Sequence, residues 1–305
     1  MNKNLFRTPK ININLPTQSK FYPDDFLELS MDDSLPICAM TARDELMLKS
    51  PDALLNGDCL LHIMKSCVPS IKNPKLLYSP DVEAILLGIF YASYGKNLDF
   101  KSSCTACSHV NDFEIDIREI LDRCSYIKDE DTKIELKIDD NTFIIVDIVP
   151  WTFETQTQNQ LRLFEQSKMM QAVTNDNLDD LEKLKHFNTS FEKIVDIKFK
   201  NLCGSIKSIS ICKRINNEIQ KELLKSKEEI SDFVFSADLT LVNPVLEALD
   251  KLNLAGIEKT FTAKCRNIII TDDNKVPCNH EWSTEISFNP SSFFDNGYNR
   301  SVTLK

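Results

Sequence analysis

The chain has 305 residues, with 36 Lys plus Arg against 46 Asp plus Glu and a net charge of −10. At 42% hydrophobic and 27% charged it can bury the core of one large or two small domains, and it is neither disordered nor fibrous. A surface of that sign repels a phosphate backbone, and its arginines are scattered from Arg7 to Arg300, so no basic stripe for nucleic acid is expected.

Glycine excludes more. The six residues Gly57, Gly88, Gly95, Gly204, Gly256 and Gly297 never cluster. A phosphate-cradling loop needs several glycines together, because backbone amides must approach the ligand without a Cβ in the way. Walker-A, dinucleotide and kinase-type loops and the serine-hydrolase elbow are therefore absent. The first residues hold no apolar run of the signal-peptide kind, and the longest apolar stretch, Ala84–Ala92, is too short to span a bilayer. A soluble cytoplasmic protein is expected, with no membrane partner. Its ten cysteines should stay reduced there, so clustered ones are metal-ligand candidates. Abundant Ile, Asn and Lys beside so little Gly suggest an AT-rich genome.

In chain order, residues 1–35 look like an extended arm. Ile11, Ile13 and Leu15 alternate with polar residues, as in an edge strand or in a strand that joins a partner's sheet. Thr41 and Asp44 have capping-box spacing and open a short helix to about Lys49. Ser50-Pro51 opens a second with Leu54, Leu55, Leu61 and Met64 on one face. Ser79-Pro80 starts a third that is apolar almost all round, and hence central. Strand-like pieces at 98–100 and 113–117 flank a cysteine pair. Ile134–Ile138 and Phe143–Val149 form a hairpin about Asp139-Asp-Asn141. Long helices follow over 153–173 and, capped by Asn177, over 178–199, as an antiparallel pair. A strand at 206–212 and helices at 219–224 and 228–252 complete the region. The expected fold class is α+β, mostly helical, with short antiparallel strands forming zinc-knuckle hairpins. The expected division is an arm (1–35), a helical part with the first knuckle half (36–150), a helical-hairpin region (151–257), and the second knuckle half with an aromatic tail (258–305).

The strongest chemical signal is Cys104-Thr-Ala-Cys107, followed by His109. Two thiolates at that spacing can point at one tetrahedral zinc, but they supply only half a site. Cys265 and Cys278-Asn279-His280 offer the other half, and the two places echo each other as Cys107-Ser-His109 and Cys278-Asn-His280. One structural zinc on Cys104, Cys107, Cys265 and Cys278 is expected, with His109 or His280 as alternates for a thiolate. The Cys265–Cys278 gap is wider than a standard knuckle, and four unmetallated cysteines remain the other reading. No deaminase or zincin pattern completes around His280-Glu281. Cys38, Cys59, Cys67, Cys124, Cys203 and Cys212 are expected as core residues, and His62 and His186 as packing residues. The final segment carries Phe293, Phe294 and Tyr298, which suit either a docking site or a tail folded back on the body.

Several stretches together resemble the baseplate hub assembly family of T-even-like contractile-tailed bacteriophages. They are Leu15-Pro-Thr-Gln-Ser-Lys-Phe-Tyr22, Met40-Thr-Ala-Arg-Asp-Glu45, Lys49–Gly57, Ser66-Cys-Val68 and Ala92-Ser-Tyr-Gly95. The Cys104/Cys107 knuckle, Phe164-Glu-Gln-Ser167, His280-Glu-Trp282 and Ser291-Ser-Phe-Phe294 continue the series. Where that family has a compact C-x-x-C-x-H-x-W knuckle, this chain has an apparent insertion of roughly residues 266–277. The resemblance implies a non-enzymatic late protein that acts as structural subunit or assembly factor of the hub. Its partners would be other baseplate hub proteins, with no nucleic acid and no small-molecule substrate. Its place would be the host cytoplasm during assembly and then the tail baseplate. The alternative from the residues alone is a zinc-dependent hydrolase or redox enzyme using Glu281 or Asp112 as base.

Overall fold

The computed structural model describes residues 7–48, 57–174, 180–215, 218–271 and 274–286. It is α+β, with 44% helix and 28% strand, so helix leads as expected. The chain divides into two compact units, one of residues 1–74, 83–126 and 256–305, the other of residues 75–82 and 127–255.

In the first unit, β1 (Pro9–Ile13) pairs antiparallel with β2 (Leu35–Cys38), so the alternating N-terminal segment is a strand within its own chain. Helices α1 (Ala42–Leu48) and α2 (Asp58–Cys67) follow; the expected Ser50-Pro51 cap lies outside the described residues. The capping box is present: the Thr41 amide donates to Asp44 Oδ2 at 2.8 Å, and the Asp44 amide donates to Thr41 Oγ1 at 3.3 Å. Helix α3 (Ser79–Tyr94) buries Ala84, Ile85, Leu86, Leu87, Ile89 and Phe90, as an all-round apolar helix must. Gly88 in its middle faces the Ile13 and Ile37 side chains, and the missing Cβ lets β1 and β2 approach the helix. Next come β3 (Asn97–Ser103), β4 (Val110–Asp116) and the short α4 (Ile117–Asp122).

The second unit holds a four-stranded antiparallel sheet, β5 (Lys133–Lys137), β6 (Thr142–Ile148), β7 (Ile206–Ile215) and β8 (Glu218–Leu224), in that spatial order. Between β6 and β7 run α5 (Phe153–Thr174) and α6 (Asp180–Gly204), the long helical pair. Asn201 reaches Asn159 at 2.8 Å and Lys193 reaches Glu165 at 3.7 Å, a register that requires the two helices to be antiparallel.

Two expectations are corrected here. Residues 219–224 are a strand, not a helix: Glu, Lys, Gln and Leu favour helix, but so short a run cannot pay for nucleation alone. It pairs instead with β7 from Ile209↔Leu224 to Ile215↔Glu218. The helix expected over 228–252 is two, α7 (Lys227–Ser236) and α8 (Leu239–Leu254), each with its own cap. Asp238 interrupts the run by accepting from the Thr240 and Leu241 amides, a cap that competes with helix continuation. Pro244 is inside α8.

The remaining strands return to the first unit: β9 (Thr260–Lys264), β10 (Ile268–Thr271), β11 (Asn274–Pro277) and β12 (Glu281–Glu285). β9 pairs with β12 and β10 with β11, all antiparallel.

Asp44 anchors the front of this unit and is 1% exposed. Its carboxylate accepts from Thr41 and from Ser66 Oγ at 2.9 Å, with His62 Nε2 at 3.3 Å and Arg7 at 3.8 Å. Arg7 also donates to the Ser66 carbonyl and hydroxyl, both at 2.6 Å, so one buried charge ties the segment before β1 to α1 and α2. Burial pushes the Asp44 pKa up, but the Thr41 amide and hydroxyl, Ser66 and Arg7 outweigh it and hold the carboxyl below its ordinary value. A depressed carboxylate contributes stability above its unfolded pKa and loses it as pH falls through the lower folded value. Asp44→Ala is expected to cost about 3 kcal/mol at pH 7 in urea unfolding, because the Thr41 amide and hydroxyl and the Ser66 hydroxyl lose their acceptor and Arg7 its neighbouring carboxylate. The gap from wild type should shrink as the pH is lowered below about 4.

Candidate metal centre

β3 and β4 form a hairpin whose turn carries Cys104 and Cys107, in full register from Asn97↔Asp116 to Ser103↔Val110. Ser108 takes a positive φ of 58°, and the turn is closed by the Cys104 amide on the His109 carbonyl (2.8 Å) and the Ser108 amide on the Cys104 carbonyl (2.9 Å). β9 and β12 carry the other pair. Cys265 follows β9, Cys278 precedes β12, and the Cys265 amide donates to the His280 carbonyl at 2.9 Å. Asn279 has a φ of 48°, so it occupies in the second turn the place that Ser108 holds in the first. The Cys-x-His echo thus marks a shared backbone shape, with a left-handed residue between cysteine and histidine.

The insertion between Cys265 and Cys278 is the β10–β11 hairpin, paired from Ile268↔Pro277 to Thr271↔Asn274. A hairpin brings its own ends together, and the Cys278 amide donates to the Asn267 carbonyl at 2.9 Å. The wide spacing therefore costs the site nothing in geometry.

The four sulfurs converge. Cys104 Sγ lies 3.9 Å from Cys278 Sγ, and Cys107 Sγ lies 3.6 Å from Cys265 Sγ, across 174 and 158 residues of sequence. All four lie within 4.8 Å of one another, so together they could hold a metal ion. These separations are far beyond the ~2.05 Å of a disulfide. The cluster contains no histidine: His109 is exposed, and His280 is exposed with Nε2 2.8 Å from Thr105 Oγ1 and its ring stacked on Trp282.

Amide hydrogen-bond donors surround the sulfurs. Asn267 donates its amide to Cys265 Sγ at 3.4 Å and its side chain to Cys107 Sγ at 3.6 Å, and Asn111 Nδ2 is 3.7 Å from Cys265 Sγ. The His109 amide and the Asn267 side chain pull the Cys107 pKa down to about 6. At Cys278 the His280 amide pulls the same way, but desolvation and three neighbouring sulfurs outweigh it and push that thiol up to about 12. Four thiols packed together cannot all ionise unless a cation offsets the charge.

Around the sulfurs lies one small core. Phe113, Ala263, Trp282, Cys104 and Cys265 are buried, and Phe100 and Phe261 pack against them. Phe100, Phe113 and Phe261 sit 5.2–5.5 Å apart by ring centroid. Trp282 Nε1 donates to Ser102 Oγ at 3.2 Å, and Ser102 Oγ meets Thr284 Oγ1 at 2.9 Å, which fixes one hairpin on the other.

Asn111 was not foreseen from the sequence, which shows an unremarkable polar residue in an alternating strand. It is 4% exposed, and besides Cys265 it donates to the His109 carbonyl (3.0 Å) and accepts from the Arg266 amide (2.9 Å), joining both turns. Among the other cysteines, Cys38, Cys59, Cys67 and Cys212 are buried as expected, while Cys124 and Cys203 are only half-buried. Burial, then the Asp44 charge, pushes Cys67 up to about 12, so it is an inert packing thiol. His62 pairs with Asp44, and nothing is described of the His186 side chain. Glu281 pairs with Lys264 (3.2 Å) and Asp112 with Lys101 (3.3 Å), both on the surface. Phe293, Phe294 and Tyr298 lie outside the described residues. No described helix is long and apolar enough to cross a membrane.

Asn111→Ala is expected to lower unfolding stability by about 2 kcal/mol, because the part-buried Arg266 amide loses its acceptor and the His109 carbonyl its donor. Phe113→Ala should cost about 3–5 kcal/mol in the same denaturant titration by opening the shared core.

A family model for T4 bacteriophage base plate proteins matches residues 36–295, a span that takes in all four cysteines. No curated protein and no solved structure matches. On that match the chain belongs to the T4 bacteriophage base plate protein family.

Proposed function

We propose that this protein is a non-enzymatic builder of the phage baseplate hub, as a subunit or as an assembly factor, held in shape by one structural zinc. Cys104, Cys107, Cys265 and Cys278 would hold the ion, and the convergence of their sulfurs carries the reading. A tetrahedron with Zn–S bonds of ~2.3 Å has S···S edges of roughly 3.8 Å, against 3.6 and 3.9 Å here. Soft thiolates select zinc among the common divalent ions, and the amide donors around them offset part of the charge. A bound zinc would supply a cross-link between distant hairpins. Four thiolates close the coordination shell, so no position is left for a water or substrate, which argues against the hydrolase alternative.

Family membership supports action through contacts with other baseplate proteins, in the host cytoplasm during assembly and in the tail baseplate afterwards. The aromatic residues Phe293, Phe294 and Tyr298 are assigned to partner contact. Deleting residues 291–305 should abolish partner binding without changing the melting temperature, and general unfolding on deletion would refute that assignment.

Protein purified without a His tag should contain about one zinc per chain by elemental analysis, since a closed structural site is fully occupied. Less than about 0.2 zinc per chain would refute the site. Co-expression with the other hub proteins should yield a complex on size exclusion; monomeric elution with every one of them would contradict the hub role.

A further inference from the structure

The helical pair α5–α6 has one flank lined by exposed apolar side chains. On α6, Leu181, Leu184, Phe187, Phe191 and Val195 are 37–78% exposed. They recur on average every ~3.5 residues, the step of a seam that packs against another helix. The Phe187 and Phe191 rings stack within this row, 6.1 Å apart. On α5, Leu163 and Met170, a heptad apart, are 56% and 61% exposed. At ~100° per residue in an antiparallel pair, they lie on the same flank as the α6 row. The Glu165–Lys193 ion pair marks the opposite flank.

We infer that this flank is a self-association surface, where the α5–α6 pair of one copy packs on that of a second copy about a two-fold axis. Three observations favour a second copy. The first is the repeat itself, because a heptad-like seam along one helix is self-complementary when antiparallel to its twin. The second is area: at roughly 150–250 Å² for a large apolar side chain, the exposed fractions amount to roughly 700 Å² per copy, near the ~800 Å² each partner buries in a standard interface. The third is charge. The chain carries −10, yet α5 and α6 together hold seven basic and six acidic residues, so two copies meeting here escape the repulsion felt elsewhere. The inference stands independently of the zinc and hub readings.

Sedimentation equilibrium of the full chain tests it. The wild type should sediment at twice 34.9 kDa. Leu184→Asp combined with Phe191→Asp should weaken the dimer at least about a hundredfold, because both anchors lie in the seam. Phe164→Glu, exposed but on another side of α5, should leave it intact. A photo-crosslinker at Asn188 should link to α6 of the other copy. A wild-type monomer at about 100 µM would overturn the inference, because a dimer at this surface should be populated well below that concentration. A double variant still dimeric with unchanged circular dichroism would do the same, as would cross-links mapping elsewhere. A wild-type monomer that gains mass only with another baseplate protein would assign the flank to that partner and equally overturn it.

Discussion

The convergence of four thiols is the constraint that joins the β3–β4 and β9–β12 hairpins of the first unit. The β3–β4 and β9–β12 ladders are two-stranded, and such ladders are marginal alone in water. Around the sulfurs the described core is small, built from Phe100, Phe113, Phe261, Ala263 and Trp282. Sulfur–metal bonds would supply what that core lacks, because in such a site the binding free energy is folding free energy. They would also close loops of 174 and 158 residues, at a substantial entropic cost.

Much of this centre was legible in the sequence, for a physical reason. Cysteine has few structural uses in a reducing compartment, so pairs at ligand spacing carry information. The Cys-x-His echo was visible, but its meaning was not. What the two sites share is a left-handed residue, Ser108 or Asn279, and an amide donated back to sulfur; the imidazoles take no part. The insertion looked like a weakness of the second half-site. Because it folds as a hairpin, it delivers Cys265 and Cys278 to one place. Asn111 was illegible because its role arises only once β4 meets the segment after β9.

Elsewhere, local pattern served where it agreed with tertiary context. The Thr41–Asp44 box announces itself by its spacing, the central α3 by its apolar run and the long helical pair by its periodicity, while the expected Asn177 cap lies outside the described residues. Residues 218–224 do not, because helix-favouring side chains there serve as an exposed edge strand and pairing with β7 overrides propensity. The buried hub at Asp44 is half visible: the capping box is in the sequence, while Arg7 and Ser66 arrive from outside it. The exposed flank of α5–α6 belongs to the same lesson. Its apolar residues resemble core in the sequence, and only the fold leaves them open to a partner.

X-ray absorption at the zinc edge, on protein purified without added metal, tests the central claim most directly. The account predicts a single shell of four sulfurs at about 2.3 Å, with no nitrogen or oxygen scatterer. A shell containing imidazole nitrogen or water would contradict it, as would the absence of a zinc signal.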